Sequence, residues 1–267
     1  MIGLFLGDTD FSEIILNKIK RLKKKYFILD YSKNHKFKND KNSYRISIGK
    51  FGEIIKLIKS KKSKKVLFAG KIAKPNFSSL RLDLKGIYYM PSVIRASKIG
   101  DAAIIKSIIN ILAKEGIKVI SSTFFSPEIS LKKGNYSKTK PTRNDIRSIQ
   151  KAKKYFNKNN SLDHVQALVV KDEKIIAKES SLGTKKMLSK LKKNSKAILI
   201  KFPKNKQDLR IDLPTIGLQT IKDIKKYGCK GLVLKSKRNI FLNKNEVISF
   251  ANKNKIFIKV IWKKFLY

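Results

Sequence analysis

Apolar positions along the chain switch between two periods. Residues 2–7 (Ile-Gly-Leu-Phe-Leu-Gly) are a short apolar run bounded by glycine, which predicts a buried strand. From Ser12 the spacing changes: Ile14, Ile15, Ile19 and Leu22 share one face while Lys18, Lys20 and Lys23 lie elsewhere, an amphipathic helix. A strand at 26–29, a polar loop at 32–43, a helix at 51–58 and a strand at 66–69 follow, the last ending at Gly70. Residues 101–114 read as a helix closed by Gly116, with a strand at 117–120 behind it. Strand–helix alternation of this kind makes a parallel sheet covered by helices, Rossmann-like in general form.

Residues 131–141 (Leu-Lys-Lys-Gly-Asn-Tyr-Ser-Lys-Thr-Lys-Pro) are polar, basic and broken by glycine and proline, the pattern of a domain linker open to proteolysis. Beyond them come a helix at 144–156 and strands at 167–170 and 174–177, paired as a hairpin around Lys171-Asp172-Glu173. A helix at 184–191, a strand at 197–201, a helix at 221–227 closed by Gly228, a strand at 231–234, a helix at 246–252 and a strand at 256–260 complete the pattern. The expected fold class is α/β, with two mixed α/β domains, 1–136 and 137–267, the first Rossmann-like.

Composition narrows the class. Hydrophobic residues are 42% of the 267, ordinary for a globular chain and too many for a disordered one. No run approaches the roughly 18 apolar residues that span a bilayer. The opening Met1–Asp8 lacks the basic start of a signal peptide, and Cys229 is the single cysteine, so a cytoplasmic protein without disulfides is expected. Charge is the dominant feature: 63 Lys+Arg against 19 Asp+Glu, a formal +44. Three origins compete. One is a general compositional bias, since Asn and Ile are abundant as well. A second is attraction to anionic lipid headgroups. The third, nucleic-acid binding, lacks any helix-turn-helix, zinc-finger or aromatic RNP pattern, and no nucleic-acid partner is expected.

Four places carry candidate chemistry. The turn Gly3-x3-Gly7-Asp8-x-Asp10 joins a strand to a helix and suits phosphate, or is an ordinary turn capped by Asp8 or Asp10. Lys71, Lys74, Pro75 and Arg81 follow the C-terminal end of a strand, where open α/β sheets place ligands. Asp101 opens a helix, as a cap or as a site acid. The segment 204–220 packs Gln207, Asp208, Arg210, Asp212, Pro214, Thr215 and Gly217 between a strand and a helix. Two carboxylates beside a guanidinium suit a divalent cation and a phosphate together; a salt bridge between Arg210 and either aspartate is the structural alternative. His35 lies in the lysine-rich loop, and His164, just before a strand, is a site residue or a strand-end polar group; neither belongs to a Ser/His/Asp or Cys/His arrangement.

Taken in order, Gly70-Lys-Ile-Ala-Lys-Pro-Asn-Phe-Ser-Ser-Leu80, Ile99-Gly-Asp101, Leu162-Asp-His-Val-Gln166, Leu182-Gly-Thr-Lys-Lys-Met-Leu188 and Gln207-Asp-Leu-Arg-Ile-Asp-Leu-Pro-Thr-Ile-Gly217 resemble the LpxI family of UDP-2,3-diacylglucosamine pyrophosphatases of lipid A biosynthesis. The resemblance spans nearly the whole chain, and Asp212-Leu-Pro-Thr-Ile-Gly217 is its most specific part. It implies two α/β domains with the lipid-linked nucleotide between them, and Mg²⁺-assisted attack of water to give UMP and 2,3-diacylglucosamine 1-phosphate. It implies Asp212 as catalytic, with Arg210, Gln207, Thr215, Lys71, Pro75, Gly183, Thr184, Gln166 and Gly7 around substrate and phosphate, and Asp208 and Asp101 as metal ligands. As partners it implies a UDP-linked diacylated glucosamine and an anionic membrane surface on the inner face of the cytoplasmic membrane, with a homodimer left open. The chain departs from the family pattern at Gly7-Asp-Thr-Asp10, at Ala102 after Asp101, and at Leu182-Gly-Thr-Lys185, where acids are lost. Two other functions stay open: a relative that binds a nucleotide-sugar lipid without cleaving it, and a basic nucleic-acid-binding protein.

Overall fold

The computed structural model describes residues 1–158, 165–180, 182–192, 195–203, 208–211 and 213–262. They form two compact units, Met1–Pro127 and Glu128–Tyr267.

In the first unit the elements run β1 (Ile2–Leu6), α1 (Asp10–Arg21), β2 (Tyr26–Asp30), β3 (Ser43–Tyr44), α2 (Phe51–Ser60), β4 (Lys65–Ala69), α3 (Leu84–Ile99), α4 (Asp101–Lys114) and β5 (Lys118–Val119). The five strands make one parallel sheet in the order β3-β2-β1-β4-β5. Central β1 is buried along its whole length, as a strand covered on both faces must be. Helix α1 buries Phe11, Ile15, Leu16 and Ile19, close to the expected stripe. Leu22 falls outside it, because it already lies beyond the last helical turn and is exposed.

Helix α3 had no counterpart among the predicted elements. Its residues, Leu-Lys-Gly-Ile-Tyr-Tyr-Met-Pro-Ser-Val-Ile-Arg-Ala-Ser-Lys-Ile, contain glycine, an interior proline and apolar side chains all round, so no single hydrophobic face announces it. Its start is held by Asp83, whose carboxylate accepts from the Gly86 amide at 2.7 Å and from the Glu53 amide at 2.9 Å. Where α4 ends, Glu115 accepts from Lys59 Nζ at 3.0 Å, from Lys85 Nζ, and from Tyr89 Oη at 2.9 Å, tying α2, α3 and α4 together. The Lys85 hydrogen bond first, helped by Lys59 and Tyr89 against the cost of burial, lowers the Glu115 pKa from 4.5 to about 2. A depressed carboxylate contributes stability above its unfolded pKa and loses it as pH falls through the folded one. Glu115→Gln is therefore expected to reduce stability at pH 7 by about 1–2 kcal/mol, the half-exposed lysines being screened. Its unfolding free energy should also vary less with pH between 4.5 and 2 than that of the unsubstituted chain. Equal pH slopes in urea titrations of the two proteins would remove Glu115 as the acid-sensitive contact.

The second unit runs β6 (Gly134–Asn135), α5 (Arg143–Lys158), β7 (Ala167–Lys171), β8 (Lys174–Lys178), α6 (Gly183–Ser189), β9 (Ala197–Lys201), β10 (Thr215–Ile216), α7 (Leu218–Lys226), β11 (Cys229–Lys235), β12 (Ile240–Phe241), α8 (Lys244–Lys253) and β13 (Phe257–Ile261). Its main sheet has the order β6-β13-β11-β9-β7-β8. β13, β11 and β9 are parallel, with antiparallel strands added on both sides. Alternate residues fill two cores. Leu199, Leu232 and Ile258 pack on one face with Met187, Leu188, Ile221, Ile224 and Val247 from α6, α7 and α8. Ile198, Ile200 and Val233 pack on the other with Ile149 and Ala152 from α5. Thr142 and Asp145 cap α5 reciprocally, each amide donating to the other's side chain, and Lys230 Nζ lies 2.7 Å from Asp145. The hairpin expected around Asp172-Glu173 is present, both residues taking positive φ as a tight two-residue turn demands.

The stretch 131–141, read as a linker, is part of this unit, and the break falls at 127/128 rather than 136/137. Leu131 is buried in the core and its amide donates to Asn239 Oδ1 at 3.0 Å. Gly134 and Asn135 pair with β13, and Ser137 Oγ accepts from the Ile258 amide at 2.7 Å. Lysines spaced along an edge strand look like a linker because only one side of such a strand is bonded. Bonded and partly buried in this way, 131–141 is not the exposed cleavage site that its linker-like pattern predicts.

Candidate functional site

In the first unit the ends of β1 and β4 form one interlocked junction. The Gly7 amide donates to the Ala69 carbonyl at 2.9 Å and the Asp8 amide to the Lys71 carbonyl at 3.0 Å. Ser12 Oγ, buried, reaches both the Gly7 and Ala69 carbonyls at 2.8 Å. A Cβ on Gly7 would lie 2.3 Å from the Lys71 carbonyl oxygen. Gly70 sits at φ +84, where a Cβ would lie 2.1 Å from Ser12 Oγ. Gly7 and Lys71, chosen from segments far apart in sequence, are thus brought together. Gly7 contributes by close approach, since its amide is committed to Ala69. Lys71 is exposed and Pro75 half-buried on the same chain segment.

Neither acid of this turn caps α1. Thr9 occupies the N-cap position without a side-chain bond, and Asp8 instead accepts from the Lys33 amide at 2.7 Å. Asp101 is likewise no cap: Gly100 holds that position with φ +144, and Asp101 is an exposed first-turn residue of α4. Its charge there is favourable to the helix dipole.

In the second unit Gln166 and Thr184 meet at a residue that sequence reasoning passed over. Glu179 Oε2 accepts from the Gln166 amide at 3.2 Å, and Glu179 Oε1 accepts from Thr184 Oγ1. The hairpin explains the meeting. Its register places Lys178 opposite Leu168, and the Glu179 amide donates to the Ala167 carbonyl at 3.0 Å, so the residue before β7 and the one after β8 become neighbours. An irregularity between Val169 and Val170 sets that register, so the turn residues alone do not give the meeting away. Gly183 starts α6 at φ +82 with open space where a Cβ would stand.

Asp208 and Arg210 are joined directly. Arg210 Nε donates to both carboxylate oxygens of Asp208 at 2.9 and 3.2 Å, the outer guanidinium nitrogen reaches Oδ2 at 2.6 Å, and the Arg210 amide reaches Oδ1 at 3.0 Å. The Arg210 side chain, ahead of the opposing cost of burial, lowers the Asp208 pKa. The structural alternative for this segment is therefore realised between these two residues. Asp212 and Gln207 lie outside the described residues, as does His164.

The rest of the Asp212-Leu-Pro-Thr-Ile-Gly217 string is firmly placed. Leu213, Pro214 and Ile216 are buried, and β10 pairs in parallel with β12. The Ile240 amide donates to the Pro214 carbonyl at 2.9 Å, and Gly217 is the N-cap of α7. Thr215 points its hydroxyl to the Leu213 carbonyl at 3.3 Å and is exposed. A short, pinned strand leading into a helix N-terminus is an arrangement that presents backbone amides to anions.

Among the described residues no group of three His, Cys, Asp or Glu side chains converges as metal ligands. Both oxygens of Asp208 are engaged by Arg210, so this carboxylate does not by itself fit the ligand role expected of it.

The pattern of the LpxI N-terminal domain matches residues 1–129 and that of the LpxI C-terminal domain residues 132–259. The chain belongs to the LpxI family. It is similar to the UDP-2,3-diacylglucosamine pyrophosphatase LpxI of Caulobacter vibrioides, with 31% identity over 223 residues, 80% of each protein. The two LpxI domains fall on the two compact units, and the boundary between the matches adjoins the break at 127/128.

Proposed function

We propose that this protein hydrolyses the pyrophosphate bond of UDP-2,3-diacylglucosamine, releasing UMP and 2,3-diacylglucosamine 1-phosphate for lipid A synthesis. The observation that carries this reading is the presence of both LpxI domains in order across the chain, together with a relative named for that activity covering four-fifths of it. The local chemistry supports it. Hydrolysis of a phosphoanhydride needs a positioned water and cations or dipoles for the charge that grows on phosphoryl oxygens. Asp212 is the residue assigned to orient the water. Arg210 is assigned to phosphate, with Asp208 holding its guanidinium fork in place until substrate competes for it. Thr184 and Gln166, gathered by Glu179, and Thr215 before α7 are assigned to substrate contacts.

Mg²⁺ is proposed as a required ion, of which Asp212 is the prospective ligand, since Asp208 is already paired. When bound, it supplies charge neutralisation at the pyrophosphate. The protein is expected to release UMP from UDP-2,3-diacylglucosamine dispersed in detergent, and EDTA is expected to abolish release until Mg²⁺ is restored. Binding of the substrate with no UMP formed under any divalent ion would instead identify a non-cleaving relative. The substrate carries two acyl chains, so the working place proposed for the enzyme is the surface of an anionic membrane, where its excess of lysine is attracted.

A further inference from the structure

Helix α3 carries an outward apolar face for which the hydrolytic reading has no use. Leu84 is 87% exposed, Tyr88 75%, Ile99 73% and Ile87 60%, with Ile94 and Pro91 also exposed. At 3.6 residues per turn these six positions fall within an arc of roughly 140°. The opposite side buries Gly86, Met90, Val93 and Ala96. The N-terminal half of the helix is thus apolar on both sides, the reverse of a surface helix whose outer face is water-facing.

Charge around this face has one sign. Arg81 is exposed ahead of it and Lys85 borders it, while Arg95 and Lys98, also exposed, fall within the same arc beyond Pro91, so its uninterrupted apolar part is the N-terminal half with Leu84, Ile87, Tyr88 and Pro91. The single acid between Gly70 and Gly100 is Asp83, whose carboxylate is turned to the amides of Gly86 and Glu53. A second copy of the chain docked through this face would set these cations against one another, in a protein of formal charge +44. Cores of protein interfaces are depleted of lysine, whereas leucine, isoleucine and tyrosine bordered by lysine and arginine are the composition of helices that lie in a membrane interface. No helix among the described residues is long and apolar enough to cross a membrane.

We propose that α3 lies in the headgroup region of an anionic bilayer, with Leu84, Ile87 and Tyr88 immersed among the acyl chains and Arg81, Arg95 and Lys98 at the phosphates. Docking rests on the membrane part of the proposed function but extends it from charge attraction to shallow insertion of one named face.

The test uses the full chain. Cosedimentation with phosphatidylglycerol–phosphatidylcholine vesicles is measured at low and high salt for the protein and for Leu84→Ser/Ile87→Ser, which changes no charge and alters only exposed side chains. The substituted protein is expected to partition at least about tenfold more weakly, the deficit persisting at high salt, where charge attraction is screened. Leu84→Trp in a Trp262→Phe background leaves one tryptophan, whose emission should shift to the blue on vesicle binding and be quenched by brominated acyl chains. Unchanged partition with no quenching would overturn the proposal, reducing membrane association to charge alone. So would a dimer dispersed by Leu84→Ser/Ile87→Ser, which would make the face a contact between copies. UMP release from detergent-dispersed substrate, measured in parallel, is expected to be unaffected. Loss of that activity in the unsubstituted protein would count against the hydrolytic reading and leave docking to be judged on vesicles.

Discussion

Asp212→Asn is expected to cut turnover by about 10²–10⁴-fold while leaving substrate affinity nearly intact, the range for loss of a group that handles a proton in the transition state. The substitution keeps the side chain's shape and removes its negative charge. It therefore removes the means of orienting water or holding Mg²⁺ without removing the uridine, phosphate and acyl contacts on which binding depends. Arg210→Ala should behave differently, weakening binding and turnover together, since a phosphate contact serves ground state and transition state alike. Asp208 separates the two roles. Because it holds both the Nε and an outer nitrogen of Arg210, Asp208→Ala is expected to resemble a milder Arg210→Ala. If Asp208→Ala abolishes UMP release while Asp212→Asn does not, the catalytic assignment belongs to Asp208. A fully active Asp212→Asn protein would dismantle the proposed mechanism.

Gly7→Ala is expected to destabilise the first unit by about 2–3 kcal/mol, the upper part of the range for an overpacked site, since it cannot relax by a side-chain rotation. The added methyl would meet backbone, the Lys71 carbonyl at 2.3 and 2.5 Å, so the β4 turn must move as a body. Gly70→Ala adds the cost of a left-handed backbone and displaces Ser12 Oγ, and should be at least as severe. Ser12→Ala is the milder control at about 1–2 kcal/mol, since it loses only one hydroxyl shared between two carbonyls. Urea unfolding followed by circular dichroism measures all three. A Gly7→Ala protein with an unchanged midpoint would show that the junction tolerates expansion.

Much of the fold was legible because its signals are local. The apolar runs at 2–7, 66–69 and 197–201 are strands buried on both faces, and helix 101–114 has the bounds its spacing predicted. Two-residue strands such as β10 and β12 were not legible, because they exist only through their pairing with one another. Helix α3 escaped because its outer side mixes Leu84, Ile87 and Tyr88 with Arg95 and Lys98, which leaves no clear amphipathic period to detect. The candidate site was legible in its residues and less so in their relations. Arg210, Asp208 and Thr184 were singled out, but the pairing of the first two and the role of Glu179 depend on side-chain geometry that spacing does not determine.

Hydrophobic period and one specific string of residues were enough for the α/β class, the order of the main elements and the family, because both survive without coordinates. Tertiary structure decided where the units divide. Residues 131–141 look like a linker until β13 supplies bonds for Gly134, Asn135 and Ser137. It likewise decided which acids are committed: Asp8 to the Lys33 amide, Asp83 to the start of α3, Glu115 to two lysines and a tyrosine, and Asp208 to Arg210. The physical reason is common to all of them. A carboxylate's chemistry is set by the donors within about 3 Å of it, and those donors come from chain segments that only folding brings near.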